Sequence, residues 1–288
     1  MTMDEQDILQ QLDKIKDIPT LPTIVLELNK HLSNPDASVA SVSKTIEKDQ
    51  AIALKVLKLI NSPYYGFSSR ISNVKHALVL MGFVAVRNVI LSVSVINALP
   101  KNLLLQDFEM DAFWRHSLAV AVTSKNMAQK SRLELPDNCF VGGLLHDVGK
   151  VILVQYFQDL FLNVWQCMQK QHLSFYEAEK QALPICHARI GAYLAERWAL
   201  PKGLAQAIRS HQEFHPDLPN ANFIMIIYLA NILVNSYDEN QDCKIDLASV
   251  HPVAVKFLME QLDNVEDWYF SLKDEIESAY ALFLESNL

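Results

Sequence analysis

The chain has 288 residues, half of them hydrophobic, which is enough apolar side chain to build a packed core across about two domains of ordinary size. Its formal net charge is −8 and it has no dense run of Lys and Arg, so it lacks the positive surface of a duplex-binding protein and no nucleic-acid partner is expected. The four cysteines, Cys139, Cys167, Cys186 and Cys243, form no C-x-x-C pair, which argues against a disulfide framework or a cysteine zinc site and for reduced, mostly buried thiols.

With only seven glycines and with apolar residues recurring at spacings of three and four, the predicted class is all-α. The start, Met1 to Asp7, is acidic and lacks the apolar stretch of a secretory leader. Residues from about 4 to 16 predict an amphipathic helix that stops before Pro19. Pro22 opens a second, carrying Ile24, Val25, Leu28 and Leu32 and ended by Asn34-Pro35-Asp36. Ser38 or Ser41 can cap a third helix, to about Lys48. Asp49 can cap a fourth with Ile52, Val56, Leu57 and Ile60 on one face, broken by Asn61-Ser62-Pro63. After a turn over Tyr64 to Ser69, Ser72 opens a helix to about Met81, where Gly82 interrupts. The next helix, Phe83 to Leu99, is so apolar at Val84, Val86, Val89, Ile90, Val93 and Ile96 that burial nearly all round is expected. It should join residues 1–100 to residues 101–288 across an interface.

A link from about Lys101 to Asp107 then leads to a long helix, about Phe108 to Arg132, bearing His116. Pro136-Asp137-Asn138 starts a helix that runs through His146-Asp147 to Ile152, Leu153 and Tyr156. Further helices hold Leu162, Trp165 and Met168; Phe175 to Gln181 behind Ser174; His187 to about Trp198; and, after Pro201, a helix reaching Ile208 to Glu213. An apolar helix around Tyr228 to Asn231 follows, its run from about Phe223 to Val234 too short to span a bilayer. A polar loop near Asp238 to Asp246 and a terminal helical hairpin from about Pro252 to Leu284 complete the chain, and a cytoplasmic protein without a membrane partner is expected.

Within this string, Val141 to Lys150 sets a histidine beside a carboxylate in an apolar helix. Neighbouring helical residues diverge by about 100°, so His146 and Asp147 can face one point only if it lies beside the helix, as a bound cation would. The alternative is a hydrogen-bonded core pair. Gly142 and Gly143 would admit another backbone, and Lys150, one turn beyond His146, could meet an anion at the same point.

The segment Leu57-Lys58-Leu59-Ile60-Asn61-Ser62-Pro63-Tyr64-Tyr65-Gly66, followed by Ile71 to Leu78 and by Leu80-Met81-Gly82, closely resembles the signature of the HDOD family, a branch of the HD superfamily in bacterial signalling. With Leu21-Pro22 and the His-Asp helix, the resemblance covers about residues 18 to 235. It implies an N-terminal helical bundle, residues 1–100, packed on a C-terminal HD-type helical domain, residues 101–288. Metal-dependent HD phosphohydrolases use the order His, His-Asp, His, His-His and a closing Asp; His116, His146, Asp147, His187, His211, Gln212 and Asn231 fall in that order. The resemblance thus implies a divalent transition metal, Fe, Mn, Zn or Ni, as one or two ions held by His116, His146, Asp147, His187 and His211, with Glu213 orienting one ring. It assigns the chemistry to Asp147 and Lys150, the lysine holding phosphate oxygens. At Gln212 and Asn231 an imidazole and a carboxylate are replaced by neutral amides, weaker ligands that remove one negative charge.

Three readings follow. One is a signal-transduction protein whose degenerate pocket binds metal or ligand with little or no turnover. The second is a metal-dependent phosphohydrolase acting on a nucleotide or cyclic dinucleotide. The third is a structural His-Asp core with function on the surface. No receiver, kinase, GGDEF or helix-turn-helix segment is visible, so the expected partner is a signalling protein or a phosphate-containing small ligand.

Overall fold

Short polar side chains write four of the six described helix starts in the first hundred residues. Asp4 opens α1 (Glu5–Lys14) by accepting from the Asp7 backbone N–H, and Asp7 returns the bond to Asp4. α2 (Thr23–Leu32) follows, and α3 (Val39–Glu47) begins on Ser38, with Ser41 as its reciprocal partner, so both serines serve one capping box. Asp49 caps α4 (Gln50–Ile60) through the Ile52 N–H. Asn61 then donates to the carbonyls of Leu57 and Ile71 and accepts from the Ile71 N–H, stapling the turn around Pro63–Tyr65 to a segment ten residues on. The cap of α5 (Val74–Met81) is Asn73 rather than the expected Ser72, because Asn73 stands three residues before His76, whose N–H its amide oxygen accepts, whereas Ser72 stands four before. Gly82, at φ 83°, turns the chain by 120° into α6 (Phe83–Ala98). Even the polar Arg87, Asn88, Ser92 and Ser94 of α6 are buried, as its apolar character predicts.

The structure is a computed structural model that describes residues 4–32, 34, 37–238, 245–262 and 264–285. Where a plain link was expected, β1 (Leu104–Leu105) and β2 (Phe108–Glu109) pair antiparallel around Gln106, at φ 54°. α7 (Met110–Ser131) therefore starts two residues later than expected. No glycine or Asn-Gly marks this turn; it is held by Phe108, whose ring lies 6.0 Å from that of Phe113 and 5.9 Å from that of Phe161. Then come α8 (Pro136–Leu145), α9 (Val148–Tyr156), α10 (Gln158–Gln171), α11 (Phe175–Ala182), α12 (His187–Arg197), α13 (Lys202–Ser210) and α14 (Ala221–Asp238). The expected terminal hairpin is three short helices, α15 (Pro252–Gln261), α16 (Val265–Phe270) and α17 (Lys273–Tyr280), because Asn264 caps a new helix where one was expected to continue. Pro35, Asp36, Cys243 and most of the expected polar loop lie outside the described residues. Of the described cysteines, all unpaired, Cys139 is buried while Cys167 and Cys186 are only half-buried.

Two glycines set the spacing of the second region. A Cβ on Gly143 would stand 2.7 Å from the Ala121 backbone, so α7 and α8 touch main chain to main chain there; one on Gly142 would meet the Phe223 and Ile227 side chains of α14 instead. The residues before Pro100 grip this region through polar as well as apolar contacts. Trp198 Nε1 donates to Pro19 O (2.7 Å), Arg197 Nη1 to Leu12 O (2.9 Å), and Asn29 Nδ2 to Ala199 O (3.1 Å). One hydrophobic cluster runs from Ile8 to Phe283 through both regions. No single described helix is long and apolar enough to cross a membrane.

Candidate metal centre

His146 and Asp147 do not sit within one helix as the sequence suggested. α8 ends at Leu145; His146 keeps helical angles, but Asp147, at φ −99° and ψ 6°, leaves the helix, and α9 begins at Val148. The joint is braced from α12: a Cβ on Gly149 would stand 1.9 Å from the His187 carbonyl oxygen, so only glycine lets α9 lie this close to the start of α12. The bend gives the Asp147 carboxylate access to side chains on both sides. His116 comes from the middle of α7, His187 is the first residue of α12, His211 ends α13, and Asn231 projects from α14.

All seven sequence-selected positions meet here. Asp147 Oδ2 lies 3.4 Å from His146 Nε2, 3.7 Å from His116 Nε2 and 2.6 Å from Lys150 Nζ. Its Oδ1 lies 2.9 Å from His187 Nε2 and 3.3 Å from His211 Nε2. Asp147 thus belongs to two metal-competent triads, His116–His146–Asp147 and Asp147–His187–His211. Asn231 Oδ1 is 3.1 Å from His116 Nε2 and also accepts from Asn235 Nδ2. Gln212 Nε2 is 3.0 Å from His211 Nε2; a half-turn of this amide would present its oxygen instead. Asp147, His146, His187 and His211 are sealed from solvent, whereas His116 and Lys150 each keep about a fifth of the side chain exposed.

The ring tautomers follow from what faces the other nitrogen. His146 Nδ1 donates to Gly143 O and His211 Nδ1 to Ile208 O, both at 2.7 Å, and a carbonyl can only accept. His187 Nδ1 donates to Glu179 Oε2 at 2.5 Å, while Glu179 Oε1 accepts the His187 backbone N–H at 2.8 Å. In neutral His146, His187 and His211 the lone pair is therefore on Nε2; His146 Nε2 faces His116 Nε2 at 3.2 Å, and the His187 and His211 lone pairs face each other at 3.2 Å. Lone pairs this close repel unless a positive charge lies among them. Asp147 Oδ1 is buried with no hydrogen bond of proper geometry, despite the nearby His187 nitrogen. Converging imidazole nitrogens around an orphaned carboxylate oxygen fit a divalent cation.

The electrostatics agree. Burial opposes ionisation of Asp147, but His146, Lys150 and His187 outweigh it and hold the carboxyl well below its usual range. Burial pushes His211 and His116 down to about 3, leaving both rings neutral, each with one nitrogen lone pair to offer. His187 is raised: burial lowers it, but Glu179 and Asp147 favour positive charge at this ring. The orienting carboxylate is thus Glu179 and not Glu213, which stays on the surface paired with Lys180 at 2.7 Å. Glu179 was legible in principle, since it falls on the inward stripe of α11 with Phe175, Ala178 and Ala182, where a carboxylate is out of place. Beside the centre is a cavity of about 220 Å³, floored by His116, Asp147 and Lys150 and walled by Phe113, Phe161, Trp165 and Phe175.

An HDOD domain match extends over residues 18–214. An uncharacterised protein of Treponema pallidum (strain Nichols) is 26% identical over 232 residues, which cover 78% of this chain and 44% of that protein; the chain spans less than half the length of this relative. An HDOD domain protein of unknown function from Geobacter sulfurreducens shares the fold at a TM-score of 0.73 and 25% identity, with 96% of each chain covered. A candidate phosphohydrolase from Shewanella amazonensis SB2B does so at 0.72 and 20% identity, over 96% of this chain and 97% of that one.

Proposed function

The chain belongs to the HDOD family, and from that premise we propose that it is a cytoplasmic bacterial signalling module whose His/Asp centre binds a divalent transition metal and a phosphate-bearing small ligand with little or no turnover. The observation that carries this reading is the sharing of Asp147 between two histidine pairs whose remaining positions are the neutral amides of Gln212 and Asn231. Among the seven selected residues Asp147 supplies the one negative charge, and Lys150 already lies against it. Two divalent ions would thus be poorly compensated, and one ion, Fe, Mn, Zn or Ni, suits this imidazole-rich set. Bound there, the metal supplies Lewis-acid polarisation of a phosphoryl oxygen. Lys150 Nζ, at the cavity floor, is placed to turn from Asp147 toward a phosphate oxygen, and the aromatic walls exclude water and accept an apolar or planar ligand group. Ligand state would then be passed to a partner protein. The half-buried unpaired thiols suit a reducing compartment.

The second reading, a metal-dependent phosphohydrolase acting on a nucleotide or cyclic dinucleotide, is favoured by the survival of both triads and of Lys150. Restoring the missing ligands separates the two. Asn231→Asp with Gln212→His should raise metal affinity and stoichiometry, because a carboxylate and an imidazole replace two amides. With Mn²⁺ or Fe²⁺ the wild type should hydrolyse nucleotide and phosphodiester substrates slowly or not at all, while the double variant gains turnover that disappears with His146→Ala. Rapid wild-type turnover abolished by His146→Ala would instead establish the phosphohydrolase.

A further inference from the structure

Arg87 projects from α6 into the seam between the two regions and is 5% exposed. Among the described residues nothing accepts from its Nε, and no carboxylate lies within ion-pairing distance of its guanidinium. Burial pushes it down only to about 10, so it remains charged at neutral pH. A buried cation without a counter-charge is strongly unfavourable, and such groups in stable folds are normally paired.

Arg87 lines a cavity of about 140 Å³ that shares no lining residue with the cavity at the metal centre. Asn88 and Asn138 form one side, joined by an Asn88 Nδ2 to Asn138 Oδ1 bond of 2.9 Å. The other side is the start of α13 at Pro201 and Gly203, where no side chain caps the helix, and the start of α14 at Asn220 and Phe223. First-turn N–H groups of an uncapped helix attract negative charge. Glu134 also lines the cavity, half-buried, so a ligand of high negative charge is disfavoured.

We propose that this seam cavity is an anion site that takes one compact oxyanion group, phosphate or carboxylate, against Arg87 and the start of α13. The bound anion ties α6 to the helices that carry His211 and Asn231. Its guanidinium partner favours two-oxygen recognition, which both oxyanion classes offer.

The test uses the full chain, freed of metal on a chelating resin, in a buffer without oxyanions. Melting temperature is followed while inorganic phosphate, succinate or, at matched ionic strength, sodium chloride is added. A saturable rise beyond chloride is expected with phosphate or succinate, and whichever arm responds identifies the class. The rise should vanish in Arg87→Met, persist in Lys150→Gln, and saturate at several-fold lower anion concentration in Glu134→Gln. No rise beyond chloride in either arm, an equal rise in Arg87→Met, or loss of the rise in Lys150→Gln overturns the proposal. Should Arg87→Met fail to fold, Glu134→Gln decides, since an unchanged half-saturation there also overturns it.

Discussion

Glu179→Gln is the sharpest perturbation of the centre, because it changes the support of one ligand without touching a ligand. Glu179 is completely buried, and its two oxygens accept from the His187 ring at 2.5 Å and from the His187 backbone at 2.8 Å. Glutamine keeps one acceptor and turns an NH₂ donor toward the other N–H, so one bond is lost and two donors oppose each other. A hydrogen bond to a charged group contributes about 1.5–3 kcal/mol, which for a chain of this size is a fall in melting temperature on the order of 5 °C. With His187 no longer held or polarised from behind, metal affinity should fall by about 10–100-fold, the usual effect of removing the partner of a metal-ligating imidazole. Thermal melting of metal-free protein reads the first quantity; competition against a chromogenic chelator reads the second. Glu213→Gln is the control and should move neither, since Glu213 is half-exposed and its partners are Lys180 and Tyr176, not a ligand histidine. If Glu179→Gln melts and binds metal like the wild type, the assignment of Glu179 as the residue that positions His187 is wrong.

Gly149→Ala should cost about 1–3 kcal/mol and weaken metal binding, because an ordinary contact in place of 1.9 Å forces α9 and α12 about 1.5 Å apart and pulls Asp147 from His187; denaturant melts and a metal titration would show it, and an unaltered variant would count against the bracing of the joint. Removing metal should lower the melting temperature and its return should restore it, by about 2.7 kcal/mol at a hundredfold excess over Kd; elemental analysis of His146→Ala and Asp147→Ala should find little metal, and full retention would sink the ligand assignment. For pH, His211 is pushed down to about 3 by burial and His116 moves in the same direction. From about 6.5, the ordinary imidazole value, downward, the unfolded chain takes up protons that the folded chain refuses, so metal-free stability should be lost as pH falls through that window. His187, raised in the folded state, opposes this in part. Urea midpoints at neutral and mildly acidic pH measure the slope, which His211→Gln should flatten; an equal slope in both proteins would refute the attribution.

Much of the architecture is a local matter and was therefore written in the sequence. The caps at Asp4, Ser38, Asp49 and Ser174 each satisfy an N–H three residues on, so composition within one helical turn determines them. The all-α class follows from periodicity and the burial of α6 from its being apolar nearly all round, and the order of the histidines, once the family resemblance was seen, marked the residues that the fold gathers. Contacts between distant segments had no such local sign. That His146 and Asp147 lie at a joint depends on how closely Gly149 approaches His187, which belongs to another helix. Glu179 differs from its surface neighbour Glu177 only in the face of α11 that packing turns inward, and Arg87 becomes an unpaired buried charge only when α6 closes on α8, α13 and α14. Hydrogen bonds within a turn depend on residue type alone, whereas burial, close approach and the want of a partner are properties of the packed chain, and only the tertiary structure decides them.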